Sequence, residues 1–293
     1  MHDDEVEVDE DLVRRLLRAQ LPYLAAEPLS TVEPWGTDNA IWRLGTDLVV
    51  RLPRIHWAAK QVAFEASWLP YLALRLPISV PEPVATGEPG EGYPFPWAVH
   101  RWLPGTVARL DALADAVAFA LDLAATVRAL RHTPTQGAPS AGGRARPARD
   151  NDQGVRQAIA GAANLIDSEA ASAIWEEALA AAPHDEAKVW VHGDLDQNCL
   201  VDKGALSGLI DWSCAGVGDP AADVAVVWSG LFTPASRTAF LEALEVDSAT
   251  LARSRGAALA QACAALPYYL NTYPLMVERC WQRLTALGVP PRR

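Results

Sequence analysis

Apolar positions follow two different periods along this chain. Leu12, Val13, Leu16 and Leu17 recur at helical spacing over residues 9–20, and Pro22 ends that helix. Ile41, Trp42 and Leu44, then Leu48, Val49 and Val50, read instead as strands around turns at 35–39 and 45–47. Helical spacing returns over 57–75 through Trp57, Gln61, Phe64 and Trp68, with Pro70 predicted to break or restart the helix. Residues 77–96 are rich in Pro and Gly with short strand-like pieces, and 98–103 reads as a strand closed by Pro104-Gly105. Residues 111–131 read as a helix through Leu113, Val117, Leu121 and Ala124.

Residues 132–154 carry Pro, Gly and Arg without a core pattern and predict a long loop, mobile or functional. Helices are expected over 155–166 and 168–182, short strands at 189–191, 199–201 and 206–212, and mostly helix after Asp219-Pro220. The chain therefore reads as α+β in two parts. A small strand-rich part with its connecting strand spans 1–103, and a larger, mostly helical part spans 104–293.

Composition narrows the class. Half of the 293 residues are hydrophobic, which excludes a wholly disordered chain. Net charge is −11, with seven acids among the first 11 residues. That balance argues against general nucleic-acid binding, which needs a basic face, and fits a cationic ligand. The four cysteines have no CxxC spacing, and no apolar run is long enough to span a membrane. With no signal peptide either, a cytoplasmic protein with reduced thiols is expected.

The densest polar cluster is the run His192-Gly193-Asp194-Leu195-Asp196-Gln197-Asn198, set between two strands. The second strand of the following hairpin ends in Ile210-Asp211-Trp212. A carboxylate and an amide on one loop, with a second carboxylate at a neighbouring strand end, suit one task. Asn198 and Asp211 can hold Mg²⁺ on a polyphosphate, because Mg²⁺ takes hard oxygen ligands and keeps several waters. Asp194 is then left to accept a hydroxyl proton.

HGD and a following Asn, then IDW and GDPAAD, resemble the aminoglycoside phosphotransferase family of small-molecule kinases. The string WGTDNAIWRLGTDLVVRLPR is similar to that family's opening strands. The resemblance runs over roughly residues 30–285 and rests on the order of these motifs. It implies a bilobal protein-kinase-like fold: a small antiparallel-sheet N-lobe and a larger, mostly helical C-lobe holding the catalytic loop. It implies ATP or GTP as donor, Mg²⁺ as cofactor, and as acceptor a hydroxylated small molecule, an aminoglycoside-type antibiotic or similar metabolite. Antibiotic resistance is the role that goes with such an acceptor.

By the same resemblance, Asp194 is the catalytic base, Asn198 and Asp211 are the magnesium ligands, His192 braces the loop, and Asp223 bonds back to it. Gly36, Thr37 and Asp38 occupy the turn over the nucleotide phosphates. Arg51, partnered by Glu65, stands where the family has Lys. Arg101, Trp102 and Leu103 offer backbone groups to the purine. Two departures stand out. Arg and Lys bind phosphate differently, and Asn198 follows Asp194 by one residue fewer than in the family pattern.

Acceptor candidates are Asp150 and Asp152 in the long loop, and Tyr268, Asn271 and Tyr273 near the C-terminus. The tyrosine stretch reads slightly more readily as helix packing. Arg144, Arg146 and Arg149 equally make the loop a solvated segment. Two rivals remain on sequence alone. One is a non-catalytic kinase-fold protein that binds a nucleotide or small molecule. The other is a metal-dependent hydrolase built on Asp194, Asp211 and His192.

Overall fold

The computed structural model describes residues 5–32, 38–184 and 188–292. The chain divides into two compact units, residues 1–74 with 79–104, and residues 75–78 with 105–293.

The first unit opens with α1 (Glu10–Gln20). Asp9 caps it by accepting the Leu12 N–H at 2.8 Å, and Leu12, Val13, Leu16 and Leu17 are its buried face. The strands are β1 (Leu29–Thr31), β2 (Asn39–Leu44) and β3 (Leu48–Pro53). Helix α2 (Ala59–Ala73) follows, then β4 (Pro83–Gly87) and β5 (Trp97–Arg101). The strands form one antiparallel sheet in the order β1-β2-β3-β5-β4. Gly45, at φ +58°, makes the β2–β3 turn. The α1 face packs on Trp42, Leu44, Val50, Leu52, Trp97 and Val99 from the sheet.

Pro70 does not break α2, contrary to the sequence expectation. Its ring is exposed, while Leu69 and Leu72 beside it are fully buried. Burying a leucine contributes about 1.5–3 kcal/mol, so the pair offsets the cost of roughly 3 kcal/mol for an interior proline.

The second unit contains β6 (Thr106–Val107), α3 (Ala116–His132), α4 (Asp152–Ala162) and α5 (Ser168–Ala180). It continues with β7 (Val189–Val191), β8 (Cys199–Asp202), β9 (Ala205–Leu209) and β10 (Gly216–Gly218). Helices α6 (Ala221–Val224), α7 (Pro234–Ala243), α8 (Ser248–Tyr269) and α9 (Pro274–Leu287) complete it. Helix α3 starts at Ala116 rather than at 111, because Asp115 caps it by accepting the Val117 and Ala118 N–H groups. Strands β8 and β9 form a hairpin flanked by β6, and β7 pairs with β10. Helices α4, α5, α8 and α9 enclose an apolar core in this unit.

The segment expected to be a long loop is ordered against the β7–β10 pair. Val217 on β10 donates to the Pro139 carbonyl at 2.8 Å and accepts the Ala141 N–H at 3.0 Å. The Trp190 indole donates to the Pro134 carbonyl at 3.0 Å. Ala141 and Ala145 are buried against Val191 and Ala222. No helix among the described residues is long and apolar enough to cross a membrane.

Candidate active site

The polar loop between β7 and β8 is held from below by one carboxylate. Asp223 on α6 is fully buried and accepts the His192 N–H at 3.0 Å and the Gly193 N–H at 2.7 Å. Burial pushes its carboxyl upward, against the pull of His192, these two N–H groups and Arg131. Gly193 sits at φ +80°, where a Cβ would stand 3.0 Å from the Cys214 carbonyl oxygen, so the tight turn calls for glycine.

His192 is fully buried and edge-on to Trp212, with ring centroids 4.7 Å apart. Its Nδ1 lies 3.3 Å from the Asp194 N–H and its Nε2 lies 3.1 Å from the Ile210 carbonyl. These contacts assign a neutral ring that accepts at Nδ1 and donates from Nε2. Burial lowers the His192 pKa, which agrees with that tautomer. The ring thus ties the loop to the end of the β8–β9 hairpin.

Asn198 closes the loop. Its Nδ2 donates to the Asp194 carbonyl at 2.7 Å, and its own carbonyl accepts the Ile210 N–H at 2.9 Å. This places Asn198 across from Ile210, the residue before Asp211. Cys199, the next residue, is buried and its Sγ donates to the Leu195 carbonyl at 3.2 Å. The short spacing after Asp194 therefore turns the Cys199 thiol into the core and keeps the Asn198 amide on the loop. Asp211 is left-handed at φ +54°, a conformation Asp tolerates better than most residues. Its Oδ1 accepts the Ser213 N–H at 3.3 Å.

The donor set suits Mg²⁺. The Asn198 amide is oriented through its nitrogen, which leaves Oδ1 as the outward acceptor, and Asp211 supplies a carboxylate. Among the described residues no group of three or more His, Cys, Asp or Glu forms a metal cluster. Mg²⁺ on one carboxylate and one amide needs none.

Sequence reading missed Arg144. This side chain, 38% exposed, forms an ion pair with Asp194 Oδ1, whose own side chain is 12% exposed. The Asp194 charge raises the Arg144 pKa above its ordinary value, against desolvation and with a smaller contribution from Asp211. Arg144 reaches this position because the 133–151 segment approaches β10 closely. A Cβ on Gly218 would meet the Ala145 Cβ at 2.7 Å and the Ala145 carbonyl oxygen at 2.8 Å. Gly218→Ala is therefore expected to cost about 1–3 kcal/mol through overpacking and to shift Arg144 off Asp194. Denaturant unfolding checks this, and an unchanged midpoint would show that the segment does not pack on β10.

Two further arginines hold the loop from α9. Arg283 donates to Asp196 Oδ2 at 2.7 Å, and Arg279 donates to Gln197 Oε1 at 2.6 Å. Asp219 accepts the Ala221 N–H at 2.9 Å ahead of α6 and pairs with Arg253 through two contacts at 2.8 and 3.3 Å. All four cysteines are free, and burial raises the pKa of each thiol.

In the first unit, Arg51 on β3 pairs with Glu65 on α2 at 2.5 Å, both largely buried. His100 on β5 lies 3.5 Å from Glu65. Burial lowers its pKa to about 3, with the Arg51 charge adding to the effect. His100 is therefore neutral, and its approach to Glu65 is not an ion pair. Asp38 Oδ2 accepts the Trp57 indole N–H at 3.2 Å, while Gly36 and Thr37 lie outside the described residues. The Arg101 N–H donates to the Glu82 carbonyl and the Trp102 N–H to the Asp47 carbonyl. Arg43 covers the Trp102 ring at 4.0 Å.

The acceptor candidates are dispersed. Tyr268 lines a cavity of about 390 Å³ in the second unit, together with Arg144, Trp175 and Tyr269. Asp150, Asp152, Asn271 and Tyr273 are not in its wall. Asp152 accepts from the Trp175 indole and from Arg156, each at 2.8 Å. Tyr273 stacks edge-on to Tyr269 at 5.9 Å, and Asn271 is exposed.

Comparison with known proteins bears on this arrangement. The chain is similar in fold to the GDP complex of wild-type aminoglycoside 2'-phosphotransferase-IIIa, at 16% identity and TM-score 0.72, covering 96% of this chain and 99% of that one. It is also similar to macrolide 2'-phosphotransferase type I, at 23% identity and TM-score 0.63, covering 90% and 95%. Macrolide 2'-phosphotransferase MphH from Brachybacterium faecium matches at 24% identity and TM-score 0.61, covering 97% and 100%. No match was found among curated proteins. The α+β architecture is thus that of the aminoglycoside and macrolide phosphotransferases. A family model matches residues 31–259, most of the chain, and with it the Asp194 loop and Asp211, so this chain belongs to the phosphotransferase enzyme family.

Proposed function

We propose that this small-molecule kinase transfers the γ-phosphoryl group of ATP or GTP to a hydroxyl of a small acceptor, with Mg²⁺ held by Asn198 and Asp211. Asn198 and Asp211 would hold the ion, which would supply charge neutralisation to the phosphates during transfer. Asp194 receives the hydroxyl at Oδ2 and takes its proton as the new O–P bond forms. The bond from Pγ to the bridging oxygen breaks, and nucleoside diphosphate leaves beside a phosphate monoester. Positioning and charge stabilisation supply most of the catalysis.

One observation carries this reading. Asn198 is bonded to the Asp194 main chain and, through its carbonyl, to Ile210, so base and both candidate metal ligands share one braced scaffold. His192 and Asp223 support that scaffold by the bonds described above. In the first unit, Arg51, oriented by Glu65, is the candidate phosphate contact, and Asp38 belongs to the candidate phosphate turn with Gly36 and Thr37. Leu103, whose N–H has no backbone partner among the described residues, is the candidate purine contact, beside Arg101 and Trp102.

The Arg144 pair on Asp194 favours a second reading, a kinase-fold binder whose base is masked. Nucleotide titration with and without Mg²⁺ tests the metal assignment. Wild type is expected to bind nucleotide more tightly with Mg²⁺, and Asp211→Ala to lose that Mg²⁺ dependence while keeping metal-free affinity. A full Mg²⁺ effect in Asp211→Ala would remove Asp211 from the metal site.

A further inference from the structure

We propose that the acceptor is a partly apolar alcohol carrying an anionic group, read by Arg146 and Arg144 in the cavity of the second unit, and not a polycation. The proposal rests on the kinase reading of Asp194 and specifies which molecule that base serves.

The cavity holds about 390 Å³, room for a ligand with an aromatic or bicyclic body. Its apolar surface comes from the α8 alanines together with Trp175, Tyr268 and Tyr269. Its charges are unequal. The wall contains three cations, Arg144, Arg146 and Arg253, and one acid, Asp219. Asp219 is already bound by Arg253 through two contacts and Arg144 is held by Asp194, so both pairs cancel and, among the described residues of the wall, Arg146 is the cation left over. Arg146 is exposed and makes no ion pair with any described residue. An arginine without a carboxylate at the rim of an apolar cavity is a ready partner for a carboxylate or phosphate, which its planar fork binds bidentately.

The carboxylates that would suit a polycation are elsewhere. Asp152 is occupied by Trp175 and Arg156, and neither it nor Asp150 is in the wall. The negative net charge of the whole chain therefore does not describe this cavity. The cavity also adjoins the chemistry, because Arg144 both lines it and meets Asp194 Oδ1. An anion arriving here offers Arg144 an alternative partner and uncovers the base for the hydroxyl.

The test uses the full chain and three matched probes: hydroxymethyl-naphthoate, the corresponding naphthyl phosphate and the naphthylmethylamine, each with the same hydroxymethyl group. Calorimetric titration is expected to show at least one anionic probe binding about tenfold or more tightly than the amine. The tighter of the two anions identifies the group. Arg146→Glu, an exposed change that leaves the fold intact, is expected to abolish or invert the preference. Equal or tighter binding of the amine, no binding of any probe, or a preference unchanged in Arg146→Glu overturns the proposal. Mg²⁺-dependent nucleotide binding measured on the same samples separates the two failures. Its loss beside an intact anion preference sinks the kinase reading alone. Phosphorylation of kanamycin in preference to the anionic probes sinks the acceptor proposal and leaves the kinase.

Discussion

Asp194→Asn is expected to lower turnover by about a thousandfold, within the range a positioned general base contributes, and to leave nucleotide affinity unchanged. Asn keeps the shape of the side chain but cannot take the hydroxyl proton. The fold should lose little. Arg144 would lose its charged partner, but its side chain is more than a third exposed and water can reach it. The bonds that shape the loop use the Asp194 main-chain N–H and carbonyl, which the substitution keeps. Steady-state kinetics beside nucleotide titration checks both halves. Turnover within a few fold of wild type would remove Asp194 as base.

Asp223→Ala is expected to damage stability and activity together. The substitution leaves the buried His192 and Gly193 N–H groups without acceptors, each costing about 1–3 kcal/mol. It also removes a carboxylate whose charge acts on the largely buried Arg131. Relief from burying the Asp223 charge offsets part of this, so a net loss of about 3 kcal/mol is expected. Urea unfolding should show a lower midpoint with an unchanged slope, and kcat should collapse because the loop carrying Asp194 is no longer held. The contrast with Asp194→Asn is diagnostic: one variant loses chemistry alone, the other loses its scaffold. Wild-type stability in Asp223→Ala would show that the carboxylate does not anchor the loop.

Much of this site was legible in the sequence because its parts sit within or just after one short loop. His192, Asp194 and Asn198 share that loop, and Asp211 follows on the strand that pairs beside it. The two-part order of strands and helices was legible for the same reason: local periodicity reports local structure. The Arg51–Glu65 pairing followed from a strand and the next helix, and the two side chains do meet.

Arg144 was not legible. Its place depends on alanines 141 and 145 lying against Gly216 and Gly218, a close approach of small residues with no period. A Pro-, Gly- and Arg-rich segment reads as solvated unless its partner surface is known. Arg279 and Arg283 were missed because they reach the loop from more than 80 positions away in sequence. Pro70 misled because burial of its neighbours, a tertiary effect, outweighs its local preference. The loop acids suggested a cation site, but Asp152 is bound by Trp175 and Arg156, contacts that no spacing rule reveals.

The most direct test of the phosphotransfer reading is acceptor-dependent release of nucleoside diphosphate with Mg²⁺, using ATP and GTP in parallel. The acceptors would span aminoglycosides, macrolides, peptide antibiotics, amino alcohols, sugars and hydroxylated acids. The expected result is release that requires one acceptor class, yields its phosphate monoester and disappears in Asp194→Asn. Equal release by Asp194→Asn, or no acceptor-dependent release together with no Mg²⁺-linked nucleotide affinity, would contradict it.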